Sequence, residues 1–341
     1  MICRSRRLRS GSEGFAFGFN QATCVKINTQ PRKSQACCFV FDIIAPMHRR
    51  QLLTALASTA AIAAAQTPSS SGRIARKGRI KQACFARSLN PGPNGPQMSP
   101  DDMYALAARL GAFGFDFLPP DQWPLLKKHG LIPTLGTGGG VTIENGIVHR
   151  EMHDDSVKSL TAFIDACAAA GCPNIQIPGG QRRGLAYAEC ANNGVEFLNR
   201  VKSHAEEKGV NLCVEVFNDK YPNPAIGRVD QASNHIGWVV DVVQRVNSPR
   251  VRVLFDIYHV EIMDGNVVEN IRSCFPLIAH FHTAGVPGRH EPDENQELNY
   301  PFILRTIADM GYKGYVAHEY DPTPGKDPAQ MLEKVIGLCD V

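Results

Sequence analysis

The sequence predicts an α/β fold, a single (β/α)8 TIM barrel over residues 79–341. From Arg79 onward, short apolar runs rich in β-branched residues alternate with amphipathic stretches, which is typical of parallel βαβ units. Eight such repeats over about 260 residues match one closed barrel. No G-x-G-x-x-G motif follows the first run. A doubly wound open sheet is therefore the second choice.

Eight apolar runs are the predicted strands, and the stretches between them carry helix punctuation. Ser99-Pro100 is a typical start of a helix, and Gly171, Gly209 and Gly311 are typical ends. The predicted strands are Lys81–Phe85, Phe115–Leu118, Leu131–Gly136, Asn174–Pro178, Asn211–Phe217, Val251–Ile257, Ala279–Thr283 and Tyr315–Tyr320.

The first 78 residues are predicted to lie outside the barrel. Residues 1–46 lack sustained periodicity, and we interpret them as an upstream mis-start or an extension, with Met47 as the initiator. Residues 47–65 join paired arginines to a short Ala-rich run, as in a twin-arginine signal peptide, and residues 66–78 resemble a linker. We expect export to the periplasm, or a cytoplasmic location if the signal is not used. Stable membrane insertion is not expected, because a spanning helix needs about 20 apolar residues.

Charge and cysteine content narrow the classes of function. Residues 1–65 hold 9 of the 36 Lys and Arg residues and 2 of the 33 Asp and Glu residues, so the remainder, with 27 basic and 31 acidic residues, has a net charge near −4. This balance argues against a nucleic-acid partner, which requires a basic surface. The 11 cysteines are scattered and form no C-x-x-C pair, so we expect small core residues and no disulfide framework. The oligomeric state is left open, including a homo-oligomer.

Polar residues stand at the ends of four late strands. They are Glu215, Asp256, His282 and Glu319. Three buried carboxylates repel one another unless a cation or protons compensate them. Three carboxylates and one imidazole suit one divalent metal ion, Mn²⁺ or Mg²⁺ before Co²⁺ or Zn²⁺.

Strand parity predicts which neighbouring side chains reach this site. His259 lies three residues after Asp256, so it faces the pocket only if the strand ends near Ile257 and the chain turns. Tyr258 then points toward the helical layer. His318 has the opposite parity to Glu319, and we expect it between the barrel and the helices.

Loops after two strands carry further candidates for substrate binding. Arg289 and His290 lie in a turn-forming loop with Glu291, where the guanidinium either binds a substrate oxygen or pairs with Glu291. Lys220, in the loop after Glu215, is either a substrate contact or a solvated side chain.

The chain from about Arg79 resembles the hydroxypyruvate isomerase family, one of the xylose isomerase-like barrels of sugar isomerases and epimerases. The motifs that carry the resemblance are Cys213–Asn218, Phe255–His259 with Met263–Asn266, His280–Pro292, Glu297–Phe302 and Gly314–Tyr320. The resemblance implies that Glu215, Asp256, His282 and Glu319 are the metal ligands and that His259 and Arg289 contact substrate. Hydroxypyruvate isomerases often have Gln at the position of His282, whereas epimerase relatives have His. The second strand runs into Phe-Leu-Pro-Pro where the superfamily commonly has an acidic residue.

The implied activity is isomerisation or epimerisation of a sugar or a 2-oxo acid. Such reactions move a proton through an enediolate, and we expect Glu215 and Glu319 to be the acid/base pair, with His259 donating to a substrate oxygen. An alternative within the fold is a 3-keto-glycoside epimerase or lyase. A zinc-dependent nuclease for abasic DNA is disfavoured by the acidic barrel, and a non-catalytic sugar-binding protein by the presence of both glutamates.

Overall fold

The computed structural model describes residues 72–220, apart from Pro91, Pro93, Asn94 and Pro96, and residues 229–341. The predicted mis-start, the signal peptide, residues 66–71 of the linker and four cysteines lie outside these residues. The described end of the predicted linker is attached to the barrel, because Ile74 donates its amide to Arg109 and the Arg76 side chain donates to Leu110.

The described residues form eight strands and nine α-helices that follow one another in β/α order. The strands are β1 Lys81–Phe85, β2 Gly114–Asp116, β3 Ile132–Leu135, β4 Asn174–Pro178, β5 Asn211–Glu215, β6 Val251–Asp256, β7 Ile278–Thr283 and β8 Tyr315–His318. The helices are α1 Pro100–Arg109, α2 Trp123–Lys128, α3 His153–Ala170, α4 Tyr187–Lys208, α5 Ile236–Val246, α6 Ile257–Met263, α7 Val267–Cys274, α8 Tyr300–Asp309 and α9 Pro328–Leu338. Short 3-10 helices span Ala86–Ser88, Pro120–Gln122, Arg150–Met152 and Phe275–Leu277.

All eight strands pair in parallel, in the order β3-β2-β1-β8-β7-β6-β5-β4. The first and last strands of this order, β3 and β4, meet at Gly136, the residue just after β3. Gly136 donates its amide to the carbonyl of Asn174, and its carbonyl accepts the amide of Gln176, both on β4. The predicted barrel is therefore confirmed, and the open doubly wound sheet is wrong.

Helix α5 illustrates how the helices cover the ring. Its valines at positions 239, 242, 243 and 246 recur at helical spacing and are all buried. Each contributes roughly 1.5 kcal/mol by leaving water. The same pattern in the other helices produces one continuous apolar layer between helices and strands.

The predicted punctuation is also observed. Ser99 caps α1 by accepting the amide of Asp102, and Gly171 and Gly209 end α3 and α4 in the left-handed conformation. The seven cysteines of the described part are free and buried, as expected of core residues. No helix in the described ranges is both long and apolar enough to span a membrane.

Candidate metal centre and active site

The four predicted metal ligands meet at the carboxyl ends of the last four strands. Glu215 ends β5, Asp256 ends β6, His282 lies near the end of β7 and Glu319 directly follows β8. All four side chains are buried, and one donor atom from each lies within 4.8 Å of the others. We call these four residues the acidic cluster.

The Asp256 side chain joins the acidic cluster to the first turn of α6. Its Oδ1 accepts the amides of Tyr258 and His259, so the strand passes into the helix without a loop. Strand β6 thus ends before His259, which is the condition that the sequence analysis set for His259 to face the site. Nε2 of His259 lies 3.4 Å from Asp256 Oδ2, and its Nδ1 lies 2.6 Å from the Asn218 amide nitrogen. His259 is completely buried behind Asp256.

Two guanidiniums contact Glu319. Nη2 of the buried Arg289 lies 2.7 Å from Glu319 Oε1, and Nη2 of the partly exposed Arg87 lies 2.9 Å from the same oxygen. Arg289 also lies 3.9 Å from Asp256 and 5.3 Å from the ring of Tyr258, which otherwise packs in the helical layer. These two guanidiniums thereby hold one carboxylate oxygen of Glu319 by charge.

Glu215 has a different neighbour. The amide of Gln176, from β4, donates to Glu215 Oε2, and the hydroxyl of Thr137 donates to the Gln176 carbonyl. Gln176 and Arg87 are site residues that sequence reasoning missed, because each lies on or just after a strand whose end carries no carboxylate. Their polar side chains, within β4 and just after β1, were the available signal.

Asp116 is a further residue that the sequence did not assign to the site. Strand β2 ends at Asp116 and not at Leu118, because the left-handed backbone of Phe117, with φ of 60°, turns the chain. The second strand therefore does end on an acidic residue. Asp116 Oδ2 lies 2.7 Å from His280 Nε2 and 3.1 Å from His282 Nε2, and all three side chains are buried.

Burial and charge shift the pKa values of the acidic cluster in opposite directions. Burial, with repulsion from Glu319, raises the pKa of Asp256 to about 7. Burial alone would raise the pKa of Glu319, but Arg289, Arg87 and His282 hold it well below its usual range. Burial would likewise lower the pKa of His282, yet the carboxylates of Glu319, Asp116 and Glu215 hold it well above its usual value.

These residues fit a divalent cation. Nδ1 of His282 and Oε2 of Glu319 lie 2.9 Å apart, but neither of these buried atoms has a hydrogen-bond partner of suitable geometry. Four buried carboxylates surround His282. In the described residues two guanidiniums, those of Arg87 and Arg289, reach these carboxylates, so negative charge remains in excess. Oxygen ligands with one imidazole are a donor set for Mn²⁺ or Mg²⁺, and also accept Co²⁺ or Zn²⁺.

A cleft of about 510 Å³ opens beside the acidic cluster at this end of the barrel. Its walls include Arg87, Phe117, Thr137, Gln176 and Glu319. The volume lies in the range of small-molecule sites. A hydroxylated or carboxylated molecule in the cleft meets hydroxyl, amide and guanidinium groups on the way to Glu319.

The remaining candidates lie outside the acidic cluster. His290 is half-buried, and its Nδ1 lies 2.9 Å from the carbonyl of Asp321. Lys220 is exposed and donates to the carbonyl of Ile262. Glu291 pairs with Lys326 at 2.8 Å and not with Arg289. His318 is buried between β1 and β7, where Gln82 and Thr283 bind its ring, as its parity predicted.

Comparisons with known proteins agree with the barrel fold. A family model described as a xylose isomerase-like TIM barrel matches residues 105–337. A putative hydroxypyruvate isomerase of Danio rerio is 33% identical over 170 residues, which cover 48% of this chain and 60% of the relative. A 2-oxo-tetronate isomerase of Pectobacterium atrosepticum is 26% identical over 240 residues, 65% of this chain and 86% of the relative. The crystal structure of an AP endonuclease, family 2, from Brucella melitensis has a TM-score of 0.61 and 27% identity over 73% of this chain and 95% of that chain.

Proposed function

We propose that this chain, which belongs to the xylose isomerase-like TIM barrel family, is a metal-dependent isomerase of a small sugar or 2-oxo acid. The chain spans 60% of the length of the first curated relative it matches, and that relative is a putative hydroxypyruvate isomerase. The observation that carries the proposal is the acidic cluster, in which one carboxylate oxygen of Glu215 and one of Glu319 both face Nδ1 of His282. Two carboxylates beside one substrate position suit the removal and return of a proton on carbon.

The bound metal ion would act as a Lewis acid on the carbonyl and hydroxyl oxygens of the substrate. Glu215, Asp256, His282 and Glu319 would hold it. In isomerisation, one glutamate carboxylate takes the proton from the carbon that bears the hydroxyl and, as the carboxylic acid so formed, returns it to the former carbonyl carbon. The other glutamate carries the hydroxyl proton to the former carbonyl oxygen. Arg289 keeps Glu319 ionised and in place, and Gln176 orients Glu215 through one oxygen.

His259 has a supporting role in this scheme. As the Asn218 amide is oriented, it donates to His259 Nδ1, which leaves the ring proton on Nε2, the nitrogen that faces Asp256. The imidazole therefore steadies the Asp256 carboxylate. We propose that the cleft beside Thr137 and Gln176 receives the substrate.

The AP endonuclease likeness does not favour DNA as the substrate of this chain. The residues after position 65 carry 27 basic and 31 acidic side chains, so the barrel lacks the cationic excess that phosphate binding requires. Export to the periplasm through residues 47–65 stays a prediction, because that segment lies outside the described residues.

Deuterium exchange tests the proposal. The purified full chain is loaded with Mn²⁺ in D₂O and given hydroxypyruvate, 2-oxo-tetronate, a panel of ketoses and a 3-keto-glycoside, and deuterium on the substrate carbons is followed by NMR. We expect metal-dependent exchange with the first three classes. Glu215→Gln should lower the exchange rate by about 10²- to 10⁴-fold, because a positioned proton acceptor is lost.

The matched control is Glu269→Gln, the same chemical change at an exposed glutamate of α7. It should leave the exchange rate unchanged. Wild-type exchange rates in Glu215→Gln would refute the assignment of Glu215. Exchange with the 3-keto-glycoside alone would move the protein to the alternative epimerase or lyase class.

A further inference from the structure

Asp116 is a buried carboxylate of the site, and it accepts from three donors at once. The hydroxyl of Thr134 donates to Oδ1, while Oδ2 lies 2.7 Å from His280 Nε2 and 3.1 Å from His282 Nε2. The Asp116 and His282 side chains have no exposed surface. A buried carboxylate is costly unless such partners satisfy it, so this arrangement is specific.

The two nitrogens of His282 face different groups. Nε2 faces Asp116, whereas Nδ1 lies 2.9 Å from Glu319 Oε2 and 3.4 Å from Glu215 Oε1. A carboxylate only accepts, so the contact with Asp116 places a proton on Nε2. An imidazole that binds a metal ion carries one ring proton, so with that proton on Nε2 the lone pair of Nδ1 is the one that faces the acidic cluster.

The ring of His282 is also held mechanically. Phe85 and Phe117 pack edge-on against it, with ring centroids 5.1 Å and 5.7 Å away. These contacts restrict rotation, but two apolar rings do not distinguish one nitrogen from the other. Among the described residues, Asp116 is the group that distinguishes Nε2 from Nδ1, because it accepts a hydrogen bond at Nε2.

We propose that Asp116 is a positioning residue that fixes the tautomer and direction of His282, so that Nδ1 binds the metal ion. The inference rests on the proposed function only in requiring that the acidic cluster holds a metal. Ligating histidines commonly give their second N–H to a carboxylate, which orients the ring and raises its basicity. His280 and Thr134 in turn hold Asp116.

A second metal ion held by Asp116, His280 and His282 is the competing interpretation, since these three side chains also converge. The 2.7 Å and 3.1 Å contacts have hydrogen-bond lengths, and the Thr134 hydroxyl completes a set of donors around one acceptor. This geometry favours a hydrogen-bonded group, and metal stoichiometry decides between the two.

The test compares metal binding in the full chain before any substrate is added. Wild type, Asp116→Asn and Thr134→Val are stripped with a chelator and titrated with Mn²⁺ by calorimetry, and metal content is measured separately. Asp116→Asn keeps the shape but can donate where Asp116 only accepts, so we expect Mn²⁺ affinity to fall about 10- to 100-fold. Thr134→Val removes one support of Asp116 and should cause a smaller loss.

Imidazole ¹⁵N NMR of the same proteins reads the tautomer directly. Wild type should show the His282 proton on Nε2 with Mg²⁺ bound, and Asp116→Asn should show a mixture of tautomers. The control is Gln82→Met, which removes buried hydrogen bonds to His318 and Ile336 on the helical side of β1. It should lower Tm without changing Mn²⁺ affinity or the His282 tautomer.

Each outcome decides the matter. Equal Mn²⁺ affinity and an unchanged tautomer in Asp116→Asn would overturn the role of Asp116 while leaving the proposed function intact. Two metal ions in wild type and one in Asp116→Asn would replace it with a second metal site. A wild-type chain that binds neither Mn²⁺ nor Mg²⁺ would overturn both this inference and the metal dependence proposed above. If Asp116→Asn does not fold, unchanged affinity in Thr134→Val overturns the inference.

Discussion

Glu215 and Glu319 stand at the ends of strands three positions apart in the ring, yet their surroundings differ. Glu319 contacts two guanidiniums through one oxygen, at 2.7 Å and 2.9 Å. Glu215 is held by the neutral amide of Gln176. Both also face Nδ1 of His282.

The difference indicates that the two carboxylates are not interchangeable. Glu319 is part of a buried ion-pair network, so its charge supports the fold as well as the site. Glu215 has no arginine partner in the described residues, and the neutral amide of Gln176 holds it instead. We therefore expect Glu319 to contribute more to the stability of the fold, and Glu215 to act as the proton acceptor in catalysis.

The largest expected effect is a stability difference between Glu319→Gln and Glu215→Gln. Glu319→Gln removes the counter-charge that contacts the buried Arg289 and leaves it only more distant carboxylates, such as those of Asp256 and Asp321. This change should lower the free energy of unfolding by about 3 kcal/mol. Glu215→Gln leaves no guanidinium without a counter-charge and should change the free energy of unfolding by less than about 1 kcal/mol. Urea unfolding in the presence of a chelator measures both.

Glu269→Gln, at the surface, serves again as the control and should be neutral. Equal losses in the two cluster variants would show that the guanidiniums do not distinguish the glutamates. Glu215 and Glu319 would then differ in their catalytic roles alone.

A smaller effect is expected for Gln176→Leu, which removes the amide that orients Glu215. Because Glu215 keeps its charge but loses a fixed direction, turnover should fall about tenfold, or about 1.4 kcal/mol in the activation barrier. Steady-state kinetics should place the loss in kcat, with Mn²⁺ affinity nearly unchanged. Gln244→Leu, an exposed change on α5, is the control. A change in Mn²⁺ affinity as large as the change in kcat would mean that Gln176 supports the metal site instead.

The smallest effect concerns Glu291, a carboxylate near the site that pairs with one exposed lysine. Burial alone would raise its pKa, but Lys326 and the Thr323 amide lower it. A lowered pKa stabilises the fold above the unfolded-state pKa of about 4.3 and loses that contribution as pH falls through the folded-state value. Glu291→Gln should therefore cost about 0.5 kcal/mol at pH 7, since the pair is partly solvated.

Unfolding at pH 7 and near pH 3 measures this dependence. The gap between wild type and Glu291→Gln should close at the lower pH. A gap that widens on acidification would have the wrong sign and would rule out the carboxylate as its source.

The barrel and the acidic cluster were predictable because each rests on a local sequence signal. Buried parallel strands are short apolar runs, and polar residues that end such runs converge where the strands end. That reasoning placed Glu215, Asp256, His282 and Glu319 together. The same reasoning predicted that His259 reaches the site only if β6 ends before it. Asp256 caps α6, so β6 ends at Asp256.

Asp116 was missed because the end of β2 was placed two residues too late. A non-glycine residue in the left-handed conformation, here Phe117, carries no strong sequence signal, so the strand seemed to continue into Leu118. The contacts of Arg87 and Gln176 depend on the relative positions of distant strands, which no local pattern encodes. For Asp116 itself, a lone aspartate in an apolar run was the available clue.

The junction at Gly136 gives the barrel an unequal stiffness. Seven neighbouring strand pairs share ladders of several residues, whereas β3 and β4 meet through a single bridge. The strand pair with the fewest hydrogen bonds is the one we expect to separate first when the barrel is deformed. Thr137 and Gln176 flank that gap and also line the cleft. We therefore expect the wall that would meet an incoming molecule to widen more readily than the strands that carry the acidic cluster.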